Sequence, residues 1–503
     1  MSASIGRSVM LQSAKEYRAS SRTISIYSSL GGARVSLNPI DQSPIFPLVK
    51  MYVCGLTPQD HAHLGHGLVV MRFDIVRRYM LYRRLNVLFI QNVTDIDDKI
   101  IAKVVALKVD PLAMTRQLTD EFYASAKKLH ALPVDKLTKV TEFLPQIISF
   151  IQTLIDRGFA YVTPEGNVYF DVSKKDDYGK LSNQNTTMLY DSVRKELDKE
   201  KRSPLDFALW KRDESTSLSS PSPWGVGRPG WHIECSSMIH ETLGDRIDIH
   251  GGGVDLKFPH HENEIAQSEA YSGVPLANIW MHNGLLNIEG QKMSKSLNNF
   301  VRLDEAIERY GITPLRFVIA RHHYRSGIDL TDKLFKENLN SLLEFHRLFE
   351  KVEASKATVT RETFDPDDEQ VIEEFETAMD NDFNSPEALV VLEKARAKLQ
   401  QRLESGVGIE MIARKAKLIC ELGKILGLFF DSLDTVEREV LKVAGHLSEG
   451  GALTPSQVRE LVDQRTEARK SKDFVRSDEL RKKLLTHGID VLDAKAGSSW
   501  RAG

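Results

Sequence analysis

Apolar positions in the first part of the chain form short continuous runs separated by helix-spaced patterns. The sequence predicts a strand at 49–53 that ends at Gly55 and the Thr57-Pro58 turn, and apolar residues at helical spacing begin near His66. A second apolar run covers residues 87–91, and further strand signals occur at 247–249 and 279–281, with helical stretches between them. Strands that alternate with helices predict a parallel α/β sheet, whose ligands bind at the carboxyl ends of the strands.

The pattern changes twice further along the chain. It loosens between residues 133 and 223, where the stretch 213–223 is rich in Ser and Pro, and this predicts an inserted module. After about residue 325 long helical runs follow, for example 333–354, 367–378 and 385–403, which predict a helical bundle. The Gly450-Gly451 break precedes a tail, residues 455–501, that holds 11 basic and 8 acidic residues.

Composition narrows the class of protein. The 503 residues are 41% hydrophobic and 27% charged with a net charge of −3, so no overall positive field indicates a nucleic-acid partner. The apolar stretch at 418–430 carries Glu421 and Lys424 and is too short to cross a bilayer, so we expect no membrane span. Three cysteines, Cys54, Cys235 and Cys420, argue against a disulfide framework and leave the thiols available as ligands.

The first 24 residues differ from the rest of the chain. They contain six serines, a single acidic residue, Glu16, and four basic residues: Arg7, Lys15, Arg18 and Arg22. This composition is typical of an organellar transit peptide and equally of a disordered polar extension. We therefore expect a cytoplasmic protein, with mitochondrial or plastid targeting as the alternative.

Three histidines and two glycines lie at the first strand-to-helix junction, in the segment His61-Ala62-His63-Leu64-Gly65-His66-Gly67. A helix amino end offers unpaired N–H groups to a phosphate, and glycine lets the ligand approach the backbone closely. His63 and His66 could then stabilise charge that develops on phosphorus. Taken singly, each histidine is more simply a surface or capping residue, and the triplet could also be a metal cluster.

A second candidate for phosphate binding is the segment Lys292-Met293-Ser294-Lys295-Ser296, which follows Gly290. Two lysines spaced by three can hold triphosphate oxygens and follow pyrophosphate as it leaves. A generic lysine pair would be a solvated basic loop, but this exact string is rare by composition.

Cys54 ends the first strand, Cys235 follows much later, and His260 and Glu264 are four apart, on one face of a helix. Two thiolates, an imidazole and a carboxylate suit zinc. Four protein ligands usually mark a closed structural site and three with an open position a catalytic one, so the plain interpretation of the donor set is a structural zinc. The short separation between Cys54 and His63 favours a metal that contacts substrate.

Together these segments resemble the class I aminoacyl-tRNA synthetases and, within them, the cysteinyl-tRNA synthetase family. The resemblance extends from about residue 24 to 501. It rests on the two signatures above and on longer stretches: Met51-Tyr52-Val53-Cys54-Gly55, Gln91-Asn92-Val93-Thr94-Asp95-Ile96-Asp97-Asp98-Lys99, Gly227-Arg228-Pro229-Gly230-Trp231-His232-Ile233-Glu234-Cys235, His250-Gly251-Gly252-Gly253 and Phe258-Pro259-His260-His261-Glu262-Asn263-Glu264. The chain departs from the usual family pattern at Leu56, Gln59 and Asn298.

The resemblance implies a Rossmann-like parallel-sheet catalytic domain with a connective insertion, followed by a helical bundle and a small anticodon-type domain. The expected limits are an extension at 1–24, catalytic halves at 25–132 and 224–325, the insertion at 133–223, the bundle at 326–450 and the anticodon segment at 451–503. We expect the basic residues of the tail to lie in one helical span that either faces RNA phosphates or is simply solvated: Arg465, Arg469, Lys470, Lys472, Arg476, Arg481, Lys482 and Lys483.

The resemblance also implies the reaction and its residues. Cysteine and ATP, with Mg²⁺, form cysteinyl-adenylate, which then acylates tRNA(Cys), and we expect a monomer. One Zn²⁺ is held by Cys54, Cys235, His260 and Glu264, and the substrate thiolate joins it. ATP is bound by His63, Gly65, His66 and Lys295, with Lys292 assisting, and the amino-acid pocket is lined by Gly55, Thr94, Trp231 and His250. The alternatives are a related ligase that passes cysteine to an amino sugar and a non-catalytic RNA-binding paralogue.

Overall fold

The computed structural model describes residues 22–43, 46–183, 199–293, 300–355, 365–406, 408–446, 448–494 and 497–503. The extension expected at residues 1–24 therefore lies almost entirely outside the described residues. The chain divides into two compact units. The first comprises Met1–Ala62, Met80–Ala124 and Leu132–Leu285, and the second comprises His63–Tyr79, Ser125–Ala131 and Leu286–Gly503. None of the described helices is both long and apolar enough to cross a bilayer.

The elements up to residue 285 include both strands and helices. They are β1 (Ser25–Ser28), β2 (Ala33–Ser36), β3 (Leu48–Leu56), α1 (Leu64–Tyr82), β4 (Asn86–Val93), α2 (Asp98–Leu107), α3 (Pro111–Lys128), β5 (Lys136–Lys139), α4 (Leu144–Asp156), β6 (Ala160–Val162), β7 (Val168–Phe170), β8 (Phe207–Arg212), β9 (Gly227–Pro229), α5 (Trp231–Leu243), β10 (Ile247–Gly253), α6 (Glu262–Ser272) and β11 (Ala277–Asn283).

The central sheet of the first unit has the strand order β11-β10-β3-β4-β5, and every neighbouring pair in it is parallel. Met51 at the centre of β3 pairs with Ile249 of β10 on one side and with Phe89 of β4 on the other. All three side chains are buried. Burial on both faces explains the continuous apolar runs in the sequence, and the predicted parallel α/β sheet is confirmed.

The segment expected to be an insertion contains three strands, β6, β7 and β8, of an antiparallel sheet with the order β6-β7-β8-β9. The sheets cross both expected limits of this segment: β5 lies after residue 133 yet joins the central sheet, and β9 lies after residue 223 yet joins the antiparallel one. Backbone pairing decides where a sheet ends, and the Ser-Pro-rich composition could not reveal it. The domain limits as a whole stay a prediction.

The second unit is mainly helical after a small sheet of order β13-β12-β14. Its elements from residue 286 onwards are β12 (Leu286–Ile288), β13 (Gln291–Lys292), α7 (Leu303–Tyr310), α8 (Ile312–Ala320), β14 (Ile328–Leu330), α9 (Asp332–Ala354), α10 (Pro366–Asp380), α11 (Ser385–Glu404), α12 (Ile409–Ile425), α13 (Leu433–His446), α14 (Pro455–Lys470), α15 (Phe474–Thr486), β15 (Ile489–Ala494) and β16 (Gly497–Ala502).

The predicted helical runs at 333–354, 367–378 and 385–403 correspond to α9, α10 and α11. Local sequence explains where they start. The Thr331 side chain accepts the Leu334 N–H at the start of α9, and Asp365 with Asp368 forms a capping box that begins α10 at Pro366. Side chains that satisfy the free N–H groups of the first turn stabilise a helix start.

The single helical span expected for the basic tail is wrong. The chain ends α14 at Lys470, passes through a left-handed Lys472 with φ 62°, and starts α15 after Asp473, whose side chain accepts the Arg476 N–H. Arg465 is only 1% exposed and donates to both carboxylate oxygens of Asp493, at 2.6 and 3.0 Å. It is an internal ion-pair residue in this structure.

Candidate active site and metal-binding group

The four predicted metal ligands come together in the first unit. Cys54 lies in β3, Cys235 on α5, His260 in the turn before α6, and Glu264 on α6 itself. Each offers one ligand atom, these atoms all lie within 4.8 Å of one another, and the group is buried. Because metal–ligand bonds are about 2.0–2.3 Å long, donors this close can share one ion. Two thiols, an imidazole and a carboxylate are donor types that zinc accepts.

A second group overlaps the first and was not anticipated from the sequence. Cys54 and Glu264 also lie within 4.8 Å of His250 and His261 at their ligand atoms. His261 is three residues before Glu264, so helical spacing could have indicated that the two side chains lie near each other. His250 had been expected to line the amino-acid pocket.

Glu264 connects the two groups. Its Oε1 is 2.9 Å from Nε2 of His260, and its Oε2 is 2.8 Å from Nε2 of His250. Burial raises the pKa of this carboxyl, but the two histidines outweigh burial and hold its pKa well below the usual range. Glu264 is therefore an ionised carboxylate, as a metal ligand must be.

The other three donors have pKa values shifted in different directions. Burial, with Cys235 and Glu264 nearby, raises the pKa of Cys54 well above its usual value. A hydrogen bond from Cys54 lowers the pKa of Cys235 to about 6. Burial lowers the pKa of His260, but Glu264 and Cys235 outweigh it and raise the pKa to about 10. At neutral pH, the metal-free group therefore holds a thiol, a thiolate and an imidazolium.

The backbone around Cys54 explains its position. The pairing of β3 with β4 changes register between Val53 and Leu56, an irregularity of the kind that re-aims side chains. Gly55 lies within it, and a Cβ there would be 2.0 Å from the backbone oxygen of Asn92. Any side chain at residue 55 would push the two strands apart where Cys54 is presented.

Gly55 and Thr94, both predicted for the amino-acid pocket, are linked through Asn92. The Gly55 N–H donates to Oδ1 of Asn92 at 2.8 Å, and Nδ2 of Asn92 donates to Oγ1 of Thr94 at 3.1 Å. Because the Gly55 N–H needs an acceptor, the amide oxygen of Asn92 faces Gly55 and its NH2 group faces Thr94. These contacts lie at the carboxyl ends of β3 and β4, where a parallel sheet binds its ligands.

Trp231 and His250 lie beside the metal-binding group. The Trp231 indole stacks on the His260 ring with centroids 4.2 Å apart, and it is 38% exposed. His250 stacks on Trp280 at 4.5 Å and is fully buried. The four predicted pocket residues thus lie around the metal-binding group or at the adjacent strand ends, and their roles stay predictions.

The histidine signature lies at the start of α1, in the second unit. The backbone N–H of His63 donates to Nδ1 of His66 at 3.1 Å, and the two rings stack at 3.7 Å. Burial, with His63 adjacent, lowers the pKa of His66 to about 3, so its ring is neutral at pH 7. Because Nδ1 accepts a hydrogen bond, the ring proton lies on Nε2, which can donate to a ligand.

Packing accounts for both glycines of this signature. A Cβ on Gly65 would be 2.9 Å from the His63 ring, and one on Gly67 would be 2.5 Å from the Leu303 side chain. The methyl end of Met293 lies 3.6 Å from the same Gly65 position, which brings the beginning of the lysine segment to the histidine signature. Of the predicted lysines, Lys292 is described only by its backbone, in β13, and Lys295 lies outside the described residues.

Solved structures share this fold. The methionyl-tRNA synthetase of Mycobacterium tuberculosis in complex with methionyl-adenylate matches with a TM-score of 0.56 at 15% identity, over 86% of this chain and 96% of that one. The LeuRS of Agrobacterium radiobacter matches with 0.57 at 11% identity, over 80% and 86%. A catalytic-domain model described as "tRNA synthetases class I (C)" matches residues 43–340. The fold and the site define a class I aminoacyl-tRNA synthetase.

Further family models match the helical part: the DALR domain at 374–431 and the cysteinyl-tRNA ligase anticodon binding domain at 453–501. The cysteine–tRNA ligase of Francisella philomiragia is 40% identical over 95% of this chain and 99% of the relative. Those of Pseudomonas syringae and a Sulfurihydrogenibium species are each 38% identical over 95% of this chain, and over 100% and 99% of the relatives. The chain belongs to the cysteine–tRNA ligase family.

Proposed function

We propose that the protein activates cysteine with ATP and transfers the cysteinyl group to tRNA(Cys), with zinc in the metal-binding group. The observation that carries the proposal is the buried cluster of Cys54, Cys235, His260 and Glu264, whose ligand atoms lie within 4.8 Å of one another. This set is preferred over the overlapping one because it contains two thiols, and thiolate ligands favour zinc. Zinc held by these four residues would supply a Lewis-acid centre with a high affinity for thiolate sulfur.

The surrounding residues position the rest of the amino acid. Thr94, oriented by Asn92, presents its hydroxyl at the strand ends where the main-chain atoms of the substrate would lie. The partly exposed Trp231 stacks on His260 and offers an apolar face beside the metal-binding group. His250 contacts Oε2 of Glu264 and His260 contacts Oε1. The two histidines together fix the orientation of the carboxylate.

The histidine and lysine segments act on ATP. His66, neutral with its proton on Nε2, donates to a phosphate oxygen without adding a charge, and His63 stacked on it holds the ring in place. Such donors stabilise charge that develops during attack on the α-phosphate. Lys295, assisted by Lys292, follows the leaving pyrophosphate, and Mg²⁺ accompanies ATP.

Selectivity against serine follows from this site. Serine differs from cysteine by one atom, and shape alone gives about 1–3 kcal/mol of discrimination, so a pocket without metal would need editing. A site that binds sulfur as a thiolate rejects the hydroxyl directly. We therefore assign no hydrolytic role to the antiparallel sheet module β6-β7-β8-β9.

The candidate functions differ in the molecule that accepts the cysteinyl group. A ligase that uses an amino sugar or a non-catalytic paralogue does not explain an anticodon-binding match at residues 453–501 together with nearly full-length cysteine–tRNA ligase relatives. We propose that the enzyme acts as a monomer in the cytoplasm or, if residues 1–24 form a targeting peptide, in an organelle.

The test is aminoacylation of tRNA(Cys) with cysteine and with serine, before and after stoichiometric removal of zinc. Cysteine charging should be lost on chelation and return with added Zn²⁺, and serine should not be charged in either state. Cysteine-dependent pyrophosphate exchange without tRNA provides the control that distinguishes activation from transfer. Charging that survives complete zinc removal, or hydrolysis of seryl-tRNA by the protein, would contradict the proposal.

A further inference from the structure

Three residues that the proposed chemistry does not use form a continuous chain of contacts to a metal ligand. Oγ of Ser29 lies 2.7 Å from Nδ1 of His282, and Nε2 of His282 lies 2.8 Å from Nδ1 of His261. Nε2 of His261 lies 3.3 Å from Sγ of Cys54, a normal separation for a hydrogen bond to sulfur. His261 and His282 are 0% and 6% exposed, so water does not substitute for these contacts.

The donor in each of the three hydrogen bonds follows from the protonation state of the Cys54 sulfur. A cysteine that ligates a metal is a thiolate and has no proton to give, so Nε2 of His261 must donate to it. A neutral imidazole donates through one nitrogen and accepts through the other, so Nδ1 of His261 accepts from Nε2–H of His282. Nδ1 of His282 must then accept from the Ser29 hydroxyl, which can rotate to donate.

The overlapping metal-binding group gives His261 a different role, as a ligand. However, the group with two thiols already supplies four donors without it, and Nε2 of His261 is 3.9 Å from Oε1 of Glu264, the oxygen that faces His260. With the ion held by Cys54, Cys235, His260 and Glu264, the His261 proton is directed at the sulfur of Cys54.

We infer that Ser29, His282 and His261 form a positioning relay that fixes the His261 tautomer and directs one N–H at the metal-bound Cys54 sulfur. This inference rests on the proposed function. A hydrogen bond to a ligand thiolate orients it and withdraws electron density, so an ion held there would be a stronger acceptor for sulfur. Partners of this kind typically contribute 10- to 100-fold to metal affinity.

The test measures metal binding by the full-length protein, without reference to charging activity. Zn²⁺ affinity is determined by competition with a chromophoric chelator, and the Co²⁺-substituted protein is examined by absorption spectroscopy. His282→Phe should weaken Zn²⁺ binding about 10- to 100-fold, because His261 is free to place its proton on Nδ1. The thiolate-to-cobalt charge-transfer band should move to longer wavelength, since the sulfur becomes a better electron donor.

A conservative variant and a control separate the relay from simple packing. His282→Gln keeps an amide N–H near the position of the imidazole Nε2 and should bind Zn²⁺ within a few-fold of wild type. Ser29→Ala should shift both readouts in the same direction as His282→Phe but by less. His240→Phe is the matched control: His240 contacts Asp245 and Tyr271 and lies outside both metal-binding groups, so neither readout should change.

The outcomes distinguish this inference from the proposed function. If the wild-type protein takes up no Zn²⁺, the proposed metal chemistry fails. If it does, and folded His282→Phe keeps the wild-type affinity and cobalt spectrum, the relay alone is overturned. His282→Gln as weak as His282→Phe would also overturn it. So would a change in cobalt coordination number in His261→Phe, because it would make His261 a ligand.

Discussion

The pKa values of three side chains in the metal-binding group differ from those of the free side chains. His260 has a pKa raised to about 10 and Cys54 has a pKa well above its usual value, whereas the pKa of Cys235 is about 6. At neutral pH a metal ion therefore competes with protons on Cys54 and His260 but with almost none on Cys235. Metal loading is linked to pH through these two residues.

We predict that zinc binding near pH 7.5 releases about two protons, so that Zn²⁺ affinity falls about 100-fold for each pH unit below neutrality. The sign follows from the raised pKa values, since both groups are protonated in the metal-free protein and become more firmly so in acid. Below about pH 6 Cys235 also binds a proton and the dependence steepens. Calorimetry in two buffers of different ionisation enthalpy counts the protons, and a pH-independent affinity would refute the assignment.

Arg465 shows how far a single basic residue can differ from its sequence context. The helical tail suggested a solvated or RNA-facing arginine, but the side chain is buried and bound to both carboxylate oxygens of Asp493. Sequence indicates that a residue is charged and helical. It does not show which side of the helix faces Asp493, because charged residues occur all around α14 and hide its buried face.

We predict that Arg465→Ala destabilises the protein by about 1.5–3 kcal/mol, the usual range for hydrogen bonds to a charged group. Its matched control is Arg469→Ala, which removes one exposed contact to the same Asp493, at 2.8 Å, and should cost less than about 1 kcal/mol. The urea midpoint of each variant measures the loss. Equal losses for the two variants would mean that burial of Arg465 contributes nothing.

Among the secondary structure elements, β3 determines the geometry of the site. It is the central strand of the parallel sheet, it carries Cys54, and its irregular pairing with β4 is accommodated by a glycine whose Cβ position is occupied by the Asn92 backbone. Gly55 was predicted to line the amino-acid pocket. It is also the residue that allows β3 and β4 to approach each other next to Cys54.

Gly55→Ala should therefore lower the free energy of unfolding by about 1–3 kcal/mol through overpacking and should also weaken Zn²⁺ binding, because β3 must move where it carries a ligand. Gly408→Ala is the control, since nothing lies within 4 Å of a Cβ there and its φ is ordinary for any residue. Urea unfolding and chelator competition provide the two measurements. A Gly55→Ala protein with wild-type stability and metal affinity would argue against this role of the glycine.

Local sequence signals predict the long helices of this protein better than its short strands. The long helices α9 to α11 were predicted to within a few residues because their apolar spacing and capping residues are local signals. The short strands of the antiparallel sheet were not, because three-residue strands such as β6 and β7 carry too little pattern. The four candidate metal ligands were predicted from motifs, and the structure brings their ligand atoms within 4.8 Å of one another. The contacts of His261 and His282 depend on the way α6 and β11 pack, which no local pattern reveals.

For the whole molecule, the proposed chemistry assigns the sulfur-binding group to the first compact unit and the histidines His63 and His66 to the second. The net charge of −3 provides no general attraction for tRNA, so its binding must depend on local positive surfaces. Amino-acid recognition and nucleotide recognition should accordingly respond to different substitutions.

Lys295→Ala tests this separation. We expect slow adenylate formation, by analogy with other positively charged residues that follow pyrophosphate, and cysteine binding that is largely kept. Pyrophosphate exchange measures the rate of adenylate formation, and its dependence on cysteine concentration measures the affinity for cysteine. Cys235→Ser is the complementary variant, which should lose cysteine recognition while ATP binding persists. A parallel loss of cysteine affinity in Lys295→Ala would show that the two functions are not separate.

The stacking of Trp231 on His260 has an optical consequence. A protonated imidazole quenches the emission of an indole in contact with it, and His260 carries a proton until metal displaces it. Zinc loading should therefore brighten the intrinsic fluorescence of the protein, and Trp231→Phe should remove most of that increase. The chain would then contain its own reporter of occupancy, and loading could be followed in real time without label or radioisotope.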